Sequence, residues 1–296
     1  ATAVRVGRVD PLQSLRTTTD GDGRGGGHRP SSILAVAQVA AATVLLVGAS
    51  LLANSFVRLL QIEPGFDPEG VVSFQIALPR YRYSDTTQQR PVYTRLVEAM
   101  ERLPGVEAVA LGNSLPTLPP TRGGGLQIDG ELADPAVVAY RLVTPGFFRG
   151  LRIPLRRGRT LGDRDLDGQP PVAVVNDAFA RHYYPTREAL DAEFVFLRSP
   201  EPIRIVGVVG NTTPAGADGT VIPEIYFSYL QFPSPNPRFS PLTTLAGAVR
   251  TSGDPGTTAS LIREAVRSMD PELAVHNVAT LANRRADALS QARFCL

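Results

Sequence analysis

Three aspartates at alternating positions form the most regular cluster of potential metal ligands in the sequence. Asp163, Asp165 and Asp167, followed by Gly168, match the first half of an EF-hand loop. Such a loop places oxygen ligands at positions 1, 3 and 5, glycine at position 6 and a bidentate glutamate at position 12. Position 12 is Val174 here. The pattern therefore favours a solvated turn, and we predict no metal ligand.

The residues of nucleophilic and cofactor chemistry are sparse. His28, His182 and His276 are far apart, and the motifs G-x-S-x-G and H-E-x-x-H do not occur. All 30 basic residues are arginine, which excludes a P-loop lysine and Schiff-base chemistry. Cys295 has no second cysteine for an intrachain disulfide. We predict no catalytic residue, no cofactor and no enzyme activity.

Arginines are densest in one short stretch: Arg149, Arg152, Arg156, Arg157 and Arg159. No aromatic residues are interleaved with them, so a solvated face is the preferred interpretation, and a lipid- or nucleic-acid-binding role is the alternative. The net charge of the whole chain is only +2. We therefore expect no nucleic-acid partner.

A long uncharged stretch separates Arg29 from Arg58. Its apolar part runs from Ile33 to Ala53, about 21 residues, which as a helix would span about 31 Å, the thickness of a bilayer core. We predict a transmembrane helix that continues as a stalk until Pro64-Gly65 stops it. A buried core helix and a signal peptide are the alternatives.

The charges that flank this stretch set its expected orientation. Five arginines precede it, and Arg58 is the one arginine close behind it. The positive-inside rule places residues 1–30 in the cytoplasm and residues from about 61 onward outside. The small residues Ala37, Ala41, Gly48 and Ala49 would let a partner helix approach closely.

The external part contains two similar β-α-β patterns, one at each end. The predicted elements are a strand at 71–78, a helix from Asp85 to about Leu103, a strand at 106–111, a strand at 244–250, a helix after Asp254 and a strand at 273–278. We interpret them as the two halves of one split, ferredoxin-like (porter-type) sandwich in an α+β fold. Chance similarity of two short units is the alternative.

The sequence between the two halves predicts an inserted, strand-rich α/β lobe. Strands are expected at 126–128, 137–143, 171–176, 194–197, 203–210 and 225–229, and short helices at Pro145 and Asp177. The segment 203–210 is almost wholly apolar, so we expect it to be a central strand.

These segments together resemble FtsX-like ABC transporter permeases with a MacB-like periplasmic core domain, of the long duplicated type called ADOP. The motifs that carry the resemblance are Leu45–Leu52 with Ser55–Arg58, Pro64–Pro68, Leu103–Val109, Thr144–Leu151 through Arg159, Pro171–Asn176, Ile205–Gly210 and Pro223–Tyr226. Residues 8–16 are similar to the cytoplasmic end of a preceding permease half. Both ends of the chain look cut from a longer polypeptide.

The domain organisation that we expect has four parts. Residues 1–30 form a cytoplasmic linker, 31–62 the transmembrane helix and stalk, 63–280 the periplasmic core domain, and 281–296 an exit stalk helix capped by Thr280. Within the core domain, 70–115 and 241–280 form the porter-like part and 116–240 the inserted lobe.

The resemblance implies a non-catalytic permease component of the bacterial inner membrane, which couples ATPase-driven motion to export or to work on the envelope. Its implied partners are the lipid bilayer, a cytoplasmic ATPase subunit, a second permease half in a homodimer or pseudo-dimer, and a periplasmic adaptor protein. The alternatives from other classes are a membrane-anchored periplasmic enzyme and a single-span receptor or scaffold.

Overall fold

The computed structural model describes residues 29–61, 63–83, 86–118, 120–135, 137–196, 199, 201–213, 220–231 and 244–294. The chain forms two compact units, residues 1–57 and residues 58–296. His28 and Cys295 lie outside the described residues.

The described residues of the first unit belong to helix α1 (Arg29–Gln61), which confirms the predicted helix. Its segment Leu34–Leu51 is long and apolar enough to cross a membrane. The hydroxyls of Thr43 and Ser50 donate to the carbonyls of Val39 and Leu46, each at 2.8 Å. Because these hydroxyls are satisfied within the helix, they do not oppose its transfer into lipid.

Both terminal β-α-β patterns of the second unit fold as predicted. The elements are β1 (Val71–Ala77), α2 (Thr86–Glu101), β2 (Val106–Gly112), β12 (Thr244–Thr251), α5 (Pro255–Met269) and β13 (Ala274–Thr280), followed by α6 (Leu281–Phe294). The Asp254 carboxylate accepts the Thr257 N–H at 2.7 Å at the start of α5. The Thr280 hydroxyl accepts the Asn283 N–H at 3.2 Å at the start of α6, as the sequence predicts.

Within its described residues, the intervening chain contributes nine strands, of which three are not predicted by the sequence. The elements are β3 (Thr121–Gly123), β4 (Gln127–Ile128), β5 (Glu131–Leu132), β6 (Val138–Val143), α3 (Phe147–Leu151), β7 (Leu155–Gly158), β8 (Val172–Asn176), α4 (Asp177–Tyr183), β9 (Glu193–Val195), β10 (Ile203–Val209) and β11 (Glu224–Ser228). Strands β3, β5 and β7 are short and mostly exposed, so they lack the apolar alternation that marks a strand. Strand β10 pairs with β8 along one edge and with β9 and β7 along the other, which confirms its central position.

All thirteen described strands belong to one continuous sheet. Eleven of them follow the order β13-β1-β12-β2-β6-β11-β8-β10-β9-β4-β5, while β3 pairs with β6 and β7 pairs with β10. The four strands of the terminal patterns are adjacent and antiparallel. The pairs β6–β11 and β8–β10 are parallel. The two groups of strands meet at the single pair Gly112–Val143 between β2 and β6.

Alternating strand residues divide the interior into three cores. One face of the terminal strands packs under α2 and α5, with Phe74, Leu96 and Ile262 at its centre. The same face of the inserted strands packs under α4 around Phe179. The opposite face of both groups shares a third core around Phe147, which includes strand residues from both groups. Because side chains alternate across a strand, this shared core joins the inserted strands to the terminal ones.

Helix α3 covers the shared core at unusually short distance from β2. A Cβ on Gly146 would lie 2.4 Å from the Val109 carbonyl oxygen, and one on Gly150 would lie 3.0 Å from the Ala110 Cβ. Glycine at these two positions therefore allows the close contact between α3 and β2.

Candidate functional site

The segment that follows α1 contacts both the inserted part of the second unit and its terminal strands. Pro64 accepts a hydrogen bond from the Thr213 N–H at 3.0 Å, and the Asp67 N–H donates to the Leu151 carbonyl at 2.9 Å. Gly70 accepts from the Thr251 N–H of β12 at 2.8 Å. This segment, residues 64–70, thus bonds to the inserted part through Thr213 and Leu151 and to the terminal strands through Thr251.

Two residues fix the position of this segment. Phe66 is buried in the shared core. Gly65 has φ +75°, and a Cβ there would lie 1.8 Å from the Asn211 carbonyl oxygen. Only glycine fits this turn, because both the backbone conformation and the contact exclude a side chain.

Arg250 on β12 lies at the centre of the contact between the 64–70 segment, β12 and α3. Its Nε donates to the Gly150 carbonyl at 2.9 Å. Its two terminal nitrogens donate to the Glu69 carbonyl at 2.7 Å and to the Asp67 carbonyl at 2.8 Å. The side chain is only 5% exposed, and burial lowers the pKa of its guanidinium against the opposing effect of the Asp67 carboxylate. One buried guanidinium therefore ties β12, α3 and the 64–70 segment together.

The Asp67 carboxylate lies between two arginines. Its Oδ2 is 2.8 Å from Arg152 and 3.4 Å from Arg250, and its Oδ1 accepts the Glu69 N–H at 3.0 Å. Burial raises the pKa of Asp67, but the Glu69 N–H and the two guanidinium groups outweigh burial and lower it. We call Asp67, Arg152, Arg250 and the 64–70 segment the junction.

Two side chains complete the sheet where the two groups of strands meet. The Thr144 N–H donates to the Leu111 carbonyl at 2.9 Å, and the Thr144 hydroxyl accepts the Leu111 N–H at 3.0 Å. The Asn113 carboxamide oxygen accepts the Leu142 N–H at 3.1 Å. These bonds supply the ladder beyond the single residue pair of β2 and β6.

A buried ion pair holds the loop after β2. Arg141 on β6 lies 2.5 Å from the Glu224 carboxylate on β11, and both side chains are buried. Arg141 also donates to the Leu115 carbonyl at 2.9 Å. The Tyr226 hydroxyl donates to the second Glu224 oxygen at 2.7 Å, and burial raises the pKa of Tyr226 well above its ordinary value. The charges neutralise each other, and their role is to position the loop.

The aspartate cluster is a structural turn, but one member is less solvated than the sequence predicts. Asp165 is buried and accepts both terminal nitrogens of Arg159 at 2.7 Å, together with the Gly162 N–H at 2.8 Å. Asp163 and Asp167 remain exposed. In the described part of the chain, no group of three or more His, Cys, Asp or Glu could hold a metal ion.

The arginine-rich stretch consists mostly of ion pairs. Its members pair with carboxylates: Arg149 with Glu101, Arg152 with Asp67, Arg157 with Glu188 and Arg159 with Asp165. His182 contacts the Asp134 carbonyl at 3.0 Å from α4, whereas His276 lies on the edge strand β13. The structure therefore does not bring the predicted polar candidates together into one site. The sequence does not predict the junction, although the Pro64–Pro68 motif within it is one of those that carry the family resemblance.

The comparisons with known proteins identify the family. Residues 32–269 match the model of the MacB-like periplasmic core domain. The chain therefore belongs to this family, whose members are components of ABC transporter permeases, a non-catalytic class that works with a separate ATPase. With the apolar helix α1, this membership indicates an inner-membrane protein with a mixed α+β periplasmic domain.

The solved structures that are similar to the chain include two transporter domains. One is the periplasmic region of MacB from Actinobacillus actinomycetemcomitans, with 13% identity over 79% of this chain and 96% of that chain and a TM-score of 0.49. The other is the extracellular domain of the noncanonic ABC-type transporter YknZ from Gram-positive bacteria, with 11% identity over 70% of this chain and 100% of that chain and a TM-score of 0.48. No curated protein sequence matches.

Proposed function

We propose that this chain is a permease component whose external domain transmits ATP-driven motion of membrane helices to a substrate or partner outside the membrane. The junction carries the proposal, because the segment that follows α1 is hydrogen-bonded to the terminal strand β12 and, in the inserted part, to α3 and to Thr213 beyond β10, while Phe66 packs in the shared core. The chain leaves the sheet close to where it enters, since Val72 pairs with Thr280 at the start of α6. A displacement applied at either stalk would reach both groups of strands.

We also propose that the chain is organised as a cytoplasmic linker, a transmembrane helix with its stalk, a periplasmic core domain and an exit stalk helix. The strand order β13-β1-β12-β2 with α2 and α5 on one face supports a split ferredoxin-like, porter-type unit formed by 70–115 and 241–280. Residues 116–240 form the inserted lobe, and residues from about 61 onward are extracytoplasmic. Hinge and shear motions of such a unit require no chemistry within it.

The partners that we propose are a cytoplasmic ATPase, a second permease half and a periplasmic adaptor. Tyr81 supports an adaptor contact, because it lies just beyond the end of β1 that is remote from the junction and is 78% exposed. Its hydroxyl donates to Glu272 at 2.6 Å, which holds the ring in place. Exposed, oriented tyrosines are typical anchors of protein interfaces.

The test uses the complete full-length transporter with its ATPase. Hydrogen exchange is measured with and without ATP and vanadate. In the wild type, we expect ATP to change exchange in residues 64–70 and in the inserted strands. Arg152→Gln removes the contact between Arg152 and Asp67, and the Arg152 side chain is 58% exposed. It should therefore reduce the response of the inserted strands without unfolding the domain.

Arg149→Gln is the matched control, since Arg149 lies on α3 three residues before Arg152, is 70% exposed and pairs with Glu101 outside the junction. It should respond as the wild type does. If ATP changes exchange only in the membrane helices of the wild type, the external domain does not receive the motion and the proposal fails.

A further inference from the structure

A cleft of about 590 Å³ opens on the inserted lobe, away from the junction residues. It lies between the end of β7, the loop that leads to β8, and β10. Its apolar lining is formed by Pro170, Val172, Leu190 and Val206. The volume is in the range of small-molecule sites, which combine an apolar surface with a few polar groups.

The charged residues of this cleft differ in how well they are paired. Arg159 forms a bidentate ion pair with Asp165, which neutralises the charge of its guanidinium. Arg204 is 54% exposed, and its Nε lies 3.8 Å from Glu193, which is longer than a hydrogen bond. Arg164 forms no ion pair within the described part of the chain and is exposed.

The balance of charge in the lining is positive. Three arginines line the cleft, at positions 159, 164 and 204, against the carboxylates of Asp165 and Asp191. Since Asp165 is committed to Arg159, the groups that remain for a ligand are two guanidiniums and one opposing carboxylate. Guanidinium groups match phosphate and carboxylate geometry with paired donors.

We propose that this cleft binds an amphipathic anion, with a phosphate or carboxylate head engaged by Arg164 and Arg204 and a linear apolar part on Val172 and Val206. Nucleic acid does not fit, because the lining contains no aromatic side chain on which bases could stack. This ligand site is independent of motion through the junction, so either proposal can fail alone.

The test titrates the full chain in zwitterionic nanodiscs with octyl phosphate and with octanoate, below their micelle concentrations. Calorimetry measures binding, and empty nanodiscs supply the partition baseline. We expect saturable binding of at least one anion, and the preferred one distinguishes a phosphate-bearing from a carboxylate-bearing ligand. Octyltrimethylammonium, with the same tail and opposite charge, should not bind saturably.

The double variant Arg164→Gln/Arg204→Gln should raise the Kd at least tenfold, whereas Arg156→Gln, an exposed arginine of β7 outside the lining, should leave it unchanged. Circular dichroism verifies that all variants are folded. The proposal is overturned by the absence of saturable anion binding, by equal binding of the cation, or by an unchanged Kd in the folded double variant.

Discussion

Arg250 shows how one buried charge organises the region around it. Its guanidinium supplies donors to three backbone carbonyls, of Gly150, Glu69 and Asp67, from separate parts of the chain. Removing such a group leaves those acceptors without donors and exposes the Asp67 charge to an apolar neighbour.

Arg250→Met should therefore lower the free energy of unfolding by about 3 kcal/mol. The exposed Arg152 contributes through a partly solvated pair, so Arg152→Met should cost below about 1 kcal/mol. Urea unfolding followed by circular dichroism measures both. Equal losses in the two variants would show that burial of Arg250 is not the source of its effect.

Asp165 makes the free energy of unfolding depend on pH in the acidic range. Burial raises its pKa, but the Arg159 guanidinium and the Gly162 N–H outweigh burial, so the folded pKa lies below the ordinary value of 3.8. A lowered folded pKa gives stability that is present above the unfolded pKa and is lost as pH falls through the folded pKa.

Asp165→Asn should therefore flatten the fall of stability as the pH drops below about 4. Urea midpoints at stepped pH provide the measurement. Asp163→Asn, at an exposed neighbouring carboxylate, is the control and should keep the slope of the wild type. A wild-type slope in Asp165→Asn would contradict the assignment of Asp165 as the acid-sensitive group.

The packing of helix α3 depends on its short distance from β2. Gly146→Ala would place a Cβ 2.4 Å from the Val109 carbonyl oxygen, so the helix must move away. We expect a loss of about 1–3 kcal/mol, the usual cost of overpacking. Gly162→Ala is the control, because a Cβ at Gly162 meets no atom within 4 Å. Chemical unfolding should separate the two variants; similar midpoints would show that the close contact is not required.

The shared core predicts the behaviour of the whole external unit. Because strand residues from both groups line it, the terminal and inserted strands should unfold together. Hydrogen exchange under native conditions should give β1, β12, β8 and β10 similar free energies of global opening. A lobe that opened at much lower free energy than β1 and β12 would show that the two groups are separate cooperative units.

The orientation of the whole chain can be tested through cysteine labelling in intact cells. In a Cys295→Ser background, Arg122→Cys on exposed β3 should react with an impermeant reagent, whereas Asp20→Cys should react only after the membrane is opened. The reason is the excess of arginine before α1, which favours a cytoplasmic start. Labelling of position 20 alone in intact cells would reverse the topology.

The sequence by itself determined the features whose signals are local. The uncharged run fixes α1, the apolar spacing of Val92, Leu96 and Met100 fixes the buried face of α2, and Asp254 fixes the start of α5. It also supplied the family, since several short motifs in a fixed order are specific even though each is weak. Strands β3, β5 and β7 are not predicted, because two to four mostly exposed residues are too few to show a periodicity.

Only the tertiary structure decided which distant charges and faces meet. Asp67 and Arg250 are separated by 183 positions, and their contact depends on the register of β1 against β12. The shared core likewise depends on which of two alternating faces each strand presents to α3, and a shift of one residue would reverse that choice. Periodicity is a property of neighbouring residues, whereas register and ion pairing depend on the packed whole; the junction and the cleft therefore emerge only from the fold.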